Sequence, residues 1–245
     1  MPKPCPAHAI DRRNVLAMAG IGMPAALAGM SAATPALAAA EIAAPTTPDE
    51  SLAALKQGNA RYVAAPDLCV PKLTEQRARV VSGQAPWATI VSCADSRVPP
   101  ELIFGGLGLG ELFVARNAGN LVDTAAIGTV EYGAAVLGSP LIVVLGHGQC
   151  GAVEAACKIV TENATYPGSI GPMIDPIVPA ALAVRDTSGD FLANAIRESA
   201  LRTARRLTKA SAILSQLAAA GKLKIVAAQY DLKSGAVDFF ETDAG

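Results

Sequence analysis

From residue 87 onward, short apolar runs alternate with longer segments of helical period. The runs Ala88-Thr89-Ile90-Val91-Ser92, Glu111-Leu112-Phe113-Val114-Ala115 and Leu141-Ile142-Val143-Val144-Leu145 are rich in β-branched residues and separated by glycine-bearing segments. They predict buried strands, and residues 223–229 predict a fourth. Helices are predicted over 124–137 and 191–217. In the second, Leu192, Ile196, Leu201, Leu207, Leu214 and Leu217 make an apolar stripe while Arg197, Arg202, Arg205 and Lys209 face water. Strands apolar along their whole length and alternating with helices predict an α/β fold, a mostly parallel β-sheet flanked by helices on both faces. A last run, 236–241, follows Ser234-Gly235 at turn distance and predicts an antiparallel edge strand. Upstream, Thr47-Pro48-Asp49-Glu50 offers an N-cap, a proline at the first helical position and a capping-box glutamate. A helix is expected from there through about Val63, and a second around 74–82.

Composition then narrows the function classes. Of 245 residues 51% are hydrophobic, enough for one sizeable domain. Lys+Arg number 20 against 21 Asp+Glu, so no basic surplus exists for a phosphate backbone and nucleic acid is not an expected partner. Five cysteines are too few for a disulfide-built scaffold.

The first 38 residues read as an address. Arg12-Arg13 precedes an Ala/Gly-rich apolar stretch, 15–33, and Ala36-Leu37-Ala38 offers small residues to a signal peptidase. The pattern resembles a bacterial twin-arginine export signal. Gly20, Gly22, Pro24 and Gly29 interrupt the stretch, which falls short of the roughly 20 strongly apolar residues of a span, so no stable membrane anchor is expected. The expected organisation is signal 1–38, linker 39–48 and domain 49–245, with the mature chain periplasmic or secreted. Cleavage removes Lys3, Arg12, Arg13 and Asp11 from the charge totals, leaving a net charge of -3. It also removes Cys5 and His8, so His147 becomes the only histidine, and no histidine proton shuttle is available.

In an open parallel sheet, ligands bind beyond the carboxyl ends of the strands. Two such ends carry chemistry here. Cys93-Ala94-Asp95-Ser96-Arg97 follows the first strand; Gly146-His147-Gly148-Gln149-Cys150-Gly151 closes the third and opens a helix reaching Val160. Cys93, His147 and Cys150 make a Cys2His set, which favours one zinc per subunit with a fourth position left for water. Cys150 near a helix N-terminus gains dipole support for its thiolate. Cys157 and Cys69 read as small core hydrophobes. Gly146, Gly148 and Gly151 also spell the dinucleotide fingerprint G-x-G-x-x-G. No acidic residue ends a second strand roughly 20 positions on, and at least two strands precede the motif, so nucleotide binding is not expected.

Cys93-x-Asp95-Ser96-Arg97 followed by His147-x-x-Cys150-Gly151 resembles the β-class carbonic anhydrases. Supporting stretches are Leu55-Lys56-Gln57-Gly58-Asn59-Ala60-Arg61-Tyr62, Phe113-Val114-Ala115-Arg116-Asn117-Ala118-Gly119-Asn120, Gly128-Thr129-Val130-Glu131-Tyr132 and Tyr230-Asp231-Leu232-x-x-Gly235-x-Val237. The resemblance covers residues 49–241. It implies zinc-dependent, reversible hydration of carbon dioxide to bicarbonate and a proton, with Asp95 and Arg97 as catalytic dyad. It maps Gln84, Phe113 and Tyr132 onto pocket positions that bind substrate or product. Members with a second, inhibitory bicarbonate site resemble one another in a tryptophan three before the first cysteine; Ile90 stands there, which implies the open, non-switching type. Members are dimers or assemblies of dimers with sites at the subunit interface, so a homodimer or dimer-based homo-oligomer is expected. Two thiolates offset the metal's charge, so water is acidified less than by three histidines and the working pH is expected on the alkaline side. The rival readings are a non-catalytic zinc-binding module of the same fold and a Cys–His hydrolase with Cys93 or Cys150 as nucleophile.

Overall fold

A computed structural model of the chain describes residues 44–69 and 73–240. The export-signal reading, 1–38, and Glu241 of the predicted edge strand lie outside the described residues.

The strands are β1 (Ala88–Cys93), β2 (Leu112–Asn117), β3 (Leu141–His147), β4 (Lys224–Tyr230) and β5 (Val237–Phe240). They form one sheet in the order β2-β1-β3-β4-β5, parallel throughout except for the antiparallel β4–β5 pair. All seven residues of β3 are buried, because helices cover both sheet faces. Alternate residues divide between the two faces. Ile142 and Val144 pack with Val130, Ala200, Ala204, Leu207 and Leu214; Leu141, Val143 and Leu145 pack with Leu55, Ile103 and Phe104. Each fully buried aliphatic side chain contributes about 1.5–3 kcal/mol of burial.

The helices are α1 (Pro48–Ala64), α2 (Leu73–Arg79), α3 (Pro100–Ile103), α4 (Thr124–Glu131), α5 (Gly151–Glu162), α6 (Ile170–Ile174), α7 (Val178–Ala183), α8 (Phe191–Ala210) and α9 (Ala212–Ala219). The capping box at Thr47 and Glu50 is formed as expected. Among the described residues, no helix is long and apolar enough to cross a membrane.

Two predicted helices differ. The single helix expected over 191–217 is broken at Ser211, whose backbone is extended. The Ser211 hydroxyl donates to Glu131 at 2.5 Å and accepts from the Leu214 N–H at 3.1 Å, so it caps α9 while tying it to α4. The helix expected over 124–137 is α-helical only to Glu131 and continues as a π turn, Tyr132–Val136. Gly133 is seated so tightly that a Cβ there would lie 2.8 Å from Thr89 Oγ1 and 2.9 Å from the Phe113 ring.

Candidate metal centre

The strand order reverses between β1 and β3. From β1 the chain moves outward to β2, then returns across β1 to β3 and on to β4. Loops leaving the carboxyl ends of β1 and β3 therefore diverge, opening the crevice in which α/β sheets bind ligands. Cys93 is the last residue of β1 and His147 the last of β3. Two residues later Gln149 takes a left-handed conformation (φ 54°), uncommon for a residue with a side chain, and turns the chain into α5. Cys150 is the N-cap of α5, and its side chain makes no cap bond. The three ligand atoms all lie within 4.8 Å of one another, and all three residues are buried.

His147 is fully buried and its Nδ1 donates to the Gly148 carbonyl at 2.9 Å. That bond fixes the tautomer and leaves a lone pair on Nε2, which has no hydrogen-bond partner. Gly148 N–H in turn donates to the Tyr230 carbonyl at 2.9 Å, holding the peptide that orients the ring. Cys93 is held well below the ordinary thiol range first by Cys150 and also by the Gly119 N–H 3.4 Å from its sulfur, against the opposing effect of burial. Cys150 is pushed up by Cys93 and by burial. An orphaned imidazole nitrogen converging with two buried cysteine sulfurs is a donor set that fits a zinc dication. Cys157, in contrast, has its thiol pushed up to about 11 chiefly by burial and packs in the core with Ile174 and Ile177. Cys69 is buried as well, its sulfur 3.7 Å from the Ala65 carbonyl.

Asp95 stands at the mouth of this cluster, with its side chain 18% exposed and Oδ2 3.9 Å from His147 Nε2. Arg97 grips the carboxylate with a fork: Nε reaches Oδ1 at 2.9 Å and Nη2 reaches Oδ2 at 2.6 Å. The Arg97 backbone N–H adds a third bond at 2.9 Å. These contacts, the Arg97 side chain first, hold the Asp95 carboxyl far below the usual carboxylate range. Arg97 Nη2 also donates to the Gln149 carbonyl at 3.3 Å, joining the β1 loop to the β3 loop.

Residues 88–237 match the family model for carbonic anhydrase. Over 190 residues the chain is 37% identical to carbonic anhydrase 2 of Mycobacterium tuberculosis, covering 78% of this chain and 91% of that one. The chain belongs to the β-class carbonic anhydrase family. The fold of a Coccomyxa β-carbonic anhydrase, solved with acetazolamide, superposes with a TM-score of 0.59 at 27% identity, covering 76% of this chain and 83% of that one. A tetrameric β-carbonic anhydrase of Sordaria macrospora gives 0.59 at 24% identity, covering 78% and 97%, and shares the fold.

Within one chain, this carbonic anhydrase does not bring the three predicted pocket residues to its own Cys-His-Cys cluster. Phe113 pairs with Thr89 and Asn117 with Cys93, so Phe113 lies four residues, roughly 13 Å, back along the sheet from the cluster. Tyr132 is 49% exposed and packs on Phe113 with ring centroids 6.2 Å apart. Gln84 is exposed and precedes β1, at the end of the strand opposite Cys93. Sequence reasoning missed three contributors: the Gly119 N–H, the Gln149 carbonyl and the Arg116 side chain. The first two are backbone groups with no residue-type signature. Arg116 carried a signal, a lone arginine near the end of a strand that runs parallel to the ligand strand; that strand, predicted as buried, is only half-buried because it lies at the sheet edge.

Proposed function

We propose that this chain catalyses the zinc-dependent, reversible hydration of carbon dioxide to bicarbonate and a proton. The observation that carries the reading is an ionised Asp95, gripped by Arg97, facing the point on which Cys93, His147 and Cys150 converge. Cys93, His147 and Cys150 would hold zinc, whose Lewis acidity would make water a nucleophile. Asp95 accepts a hydrogen bond from the attacking oxygen and aims a lone pair at the carbon of CO2. Arg97 keeps that carboxylate ionised and in register with both loops. His147 presents Nε2 and spends Nδ1 on Gly148, so it carries no proton for transfer, which is left to water or buffer.

We further infer that Gln84, Phe113 and Tyr132 complete the pocket of a second copy of the chain, since they sit at the far end of the sheet from their own cluster. A homodimer, or an assembly of dimers, is then the active unit.

The direct test is stopped-flow CO2 hydration by the chain from Ala39 at pH about 8.5, on the alkaline side that a metal held by two thiolates would favour. Turnover that a chelator abolishes and zinc restores is the expected result. Zinc-loaded protein without turnover would leave only the non-catalytic module, and activity that survives chelation but not thiol alkylation would point to the Cys–His hydrolase.

The export reading rests on Arg12-Arg13, the apolar stretch behind it and Ala36-Leu37-Ala38. A route that carries folded chains would let zinc bind before the thiols meet an oxidising compartment. Replacing Arg12 and Arg13 with lysine is expected to remove carbonic anhydrase activity from the periplasmic fraction. Unchanged activity there would overturn it.

A further inference from the structure

The parallel ladder between β1 and β2 ends at the pair Cys93–Asn117. One more backbone bond follows, from Ala94 N–H to the Asn117 carbonyl at 2.9 Å. Beyond it a side chain takes over. Arg116 donates from Nε to the Cys93 carbonyl at 2.9 Å and from Nη2 to the Asp95 carbonyl at 2.6 Å. The Asp95 carbonyl also accepts from Val98 N–H at 3.1 Å. One planar guanidinium thus bridges two carbonyls on either side of Ala94, fixing the peptides that link a metal donor to the carboxylate beside it. Arg97 holds the Asp95 side chain; Arg116 holds its main chain.

Arg116 is exposed and belongs to none of the buried clusters, so its contribution is not core packing. The rigid fork matters, because lysine is a point donor on a flexible stem and cannot set two carbonyls at a fixed spacing.

We propose that Arg116 is a positioning residue of the metal centre: its fork on the Cys93 and Asp95 carbonyls sets the direction of the Cys93 sulfur and the Asp95 carboxylate relative to each other. The proposal rests on the zinc-hydration reading for its effect on turnover but not for its effect on geometry. The experiment uses the full chain loaded with cobalt(II), whose visible absorption bands report the arrangement of thiolate and imidazole around the ion, together with kcat and KM of the zinc form. Arg116→Met and Arg116→Lys are compared with Arg206→Lys, a control in which an arginine that bonds neither the metal donors nor Asp95 loses a bond from Nε to the Val122 carbonyl.

Both Arg116 variants are expected to bind one cobalt per chain with shifted bands. The kcat of Arg116→Met should fall about 10- to 100-fold, as for other groups that orient metal ligands, with KM changing far less. Arg206→Lys should keep the wild-type bands and kcat. Wild-type bands and kcat in Arg116→Lys would overturn the proposal, as would an equal shift in Arg206→Lys. If Arg116→Met does not fold, the lysine variant decides. Shifted bands in Arg116→Lys alongside a wild-type chain inert to CO2 would remove the hydration reading and leave the positioning role standing.

Discussion

Asp95→Asn protein is expected to hold its full complement of zinc and to lose turnover by about 10²- to 10⁴-fold, the range typical of removing a positioned acid–base group. The substitution keeps shape and removes charge. The amide has one accepting oxygen in place of two, so it cannot receive both arms of the Arg97 fork and an oxygen nucleophile as well. Its NH2 group, directed at either the guanidinium or the cluster, is a donor where an acceptor is needed. Folding should change little, since the Arg97 side chain is 52% exposed and an ion pair this open to solvent stabilises weakly. Zinc analysis, a melting curve and stopped-flow turnover on one preparation check the three statements together. Turnover within twofold of wild type would remove Asp95 from the mechanism.

Cys93→Ser is expected to lose both metal and activity. A serine hydroxyl does not ionise at working pH, and the remaining pair, His147 and Cys150, is too sparse a set for tight zinc binding. The same variant tests the shared pocket. Its Gln84 and Tyr132 are intact, whereas a Gln84→Ala, Tyr132→Ala chain has intact metal donors but a stripped wall. Each alone should be inactive. Mixed in equal amounts and allowed to exchange subunits, half the dimers are hybrids with one whole site, so about one site in four regains turnover. No recovery from chains shown to have exchanged would place the two side chains outside the partner's pocket. Metal-free but fully active Cys93→Ser would remove the zinc mechanism altogether.

Much of this architecture is legible in the residues. The β-branched runs at 88–92 and 141–145 have no choice but burial, and Thr47 with Glu50 is a helix start written in four residues. Cys93, His147 and Cys150 stand out because soft donors at two strand ends have few other uses. What stays hidden is decided at long range. Leu214 and Leu217 continue the apolar stripe of the preceding helix, so nothing in the pattern marks Ser211 as a break; Glu131, 80 positions earlier, makes it one. The π turn depends on Gly133 nesting against β1 and β2. The helices α3, α6 and α7 span four to six residues among prolines and glycines, too short to display a period. At the site, the Gly119 N–H reaches sulfur from a left-handed backbone (φ 77°), a position where a Cβ would lie 2.7 Å from Ile177, and no residue alphabet announces that.

The reversal of strand order has a consequence for folding as well as for chemistry. His147 and Cys150 are neighbours in the chain and can capture a cation in the unfolded state, but Cys93 lies 54 positions before His147 and arrives only when β1 and β3 have paired. A cation held by all three closes a loop containing β2, α3 and α4, and so acts as a removable cross-link across the centre of the sheet. Like a disulfide spanning a long loop, it takes its stabilising effect largely from the freedom it denies the unfolded chain. Metal supply then governs the lifetime of the folded protein along with its chemistry.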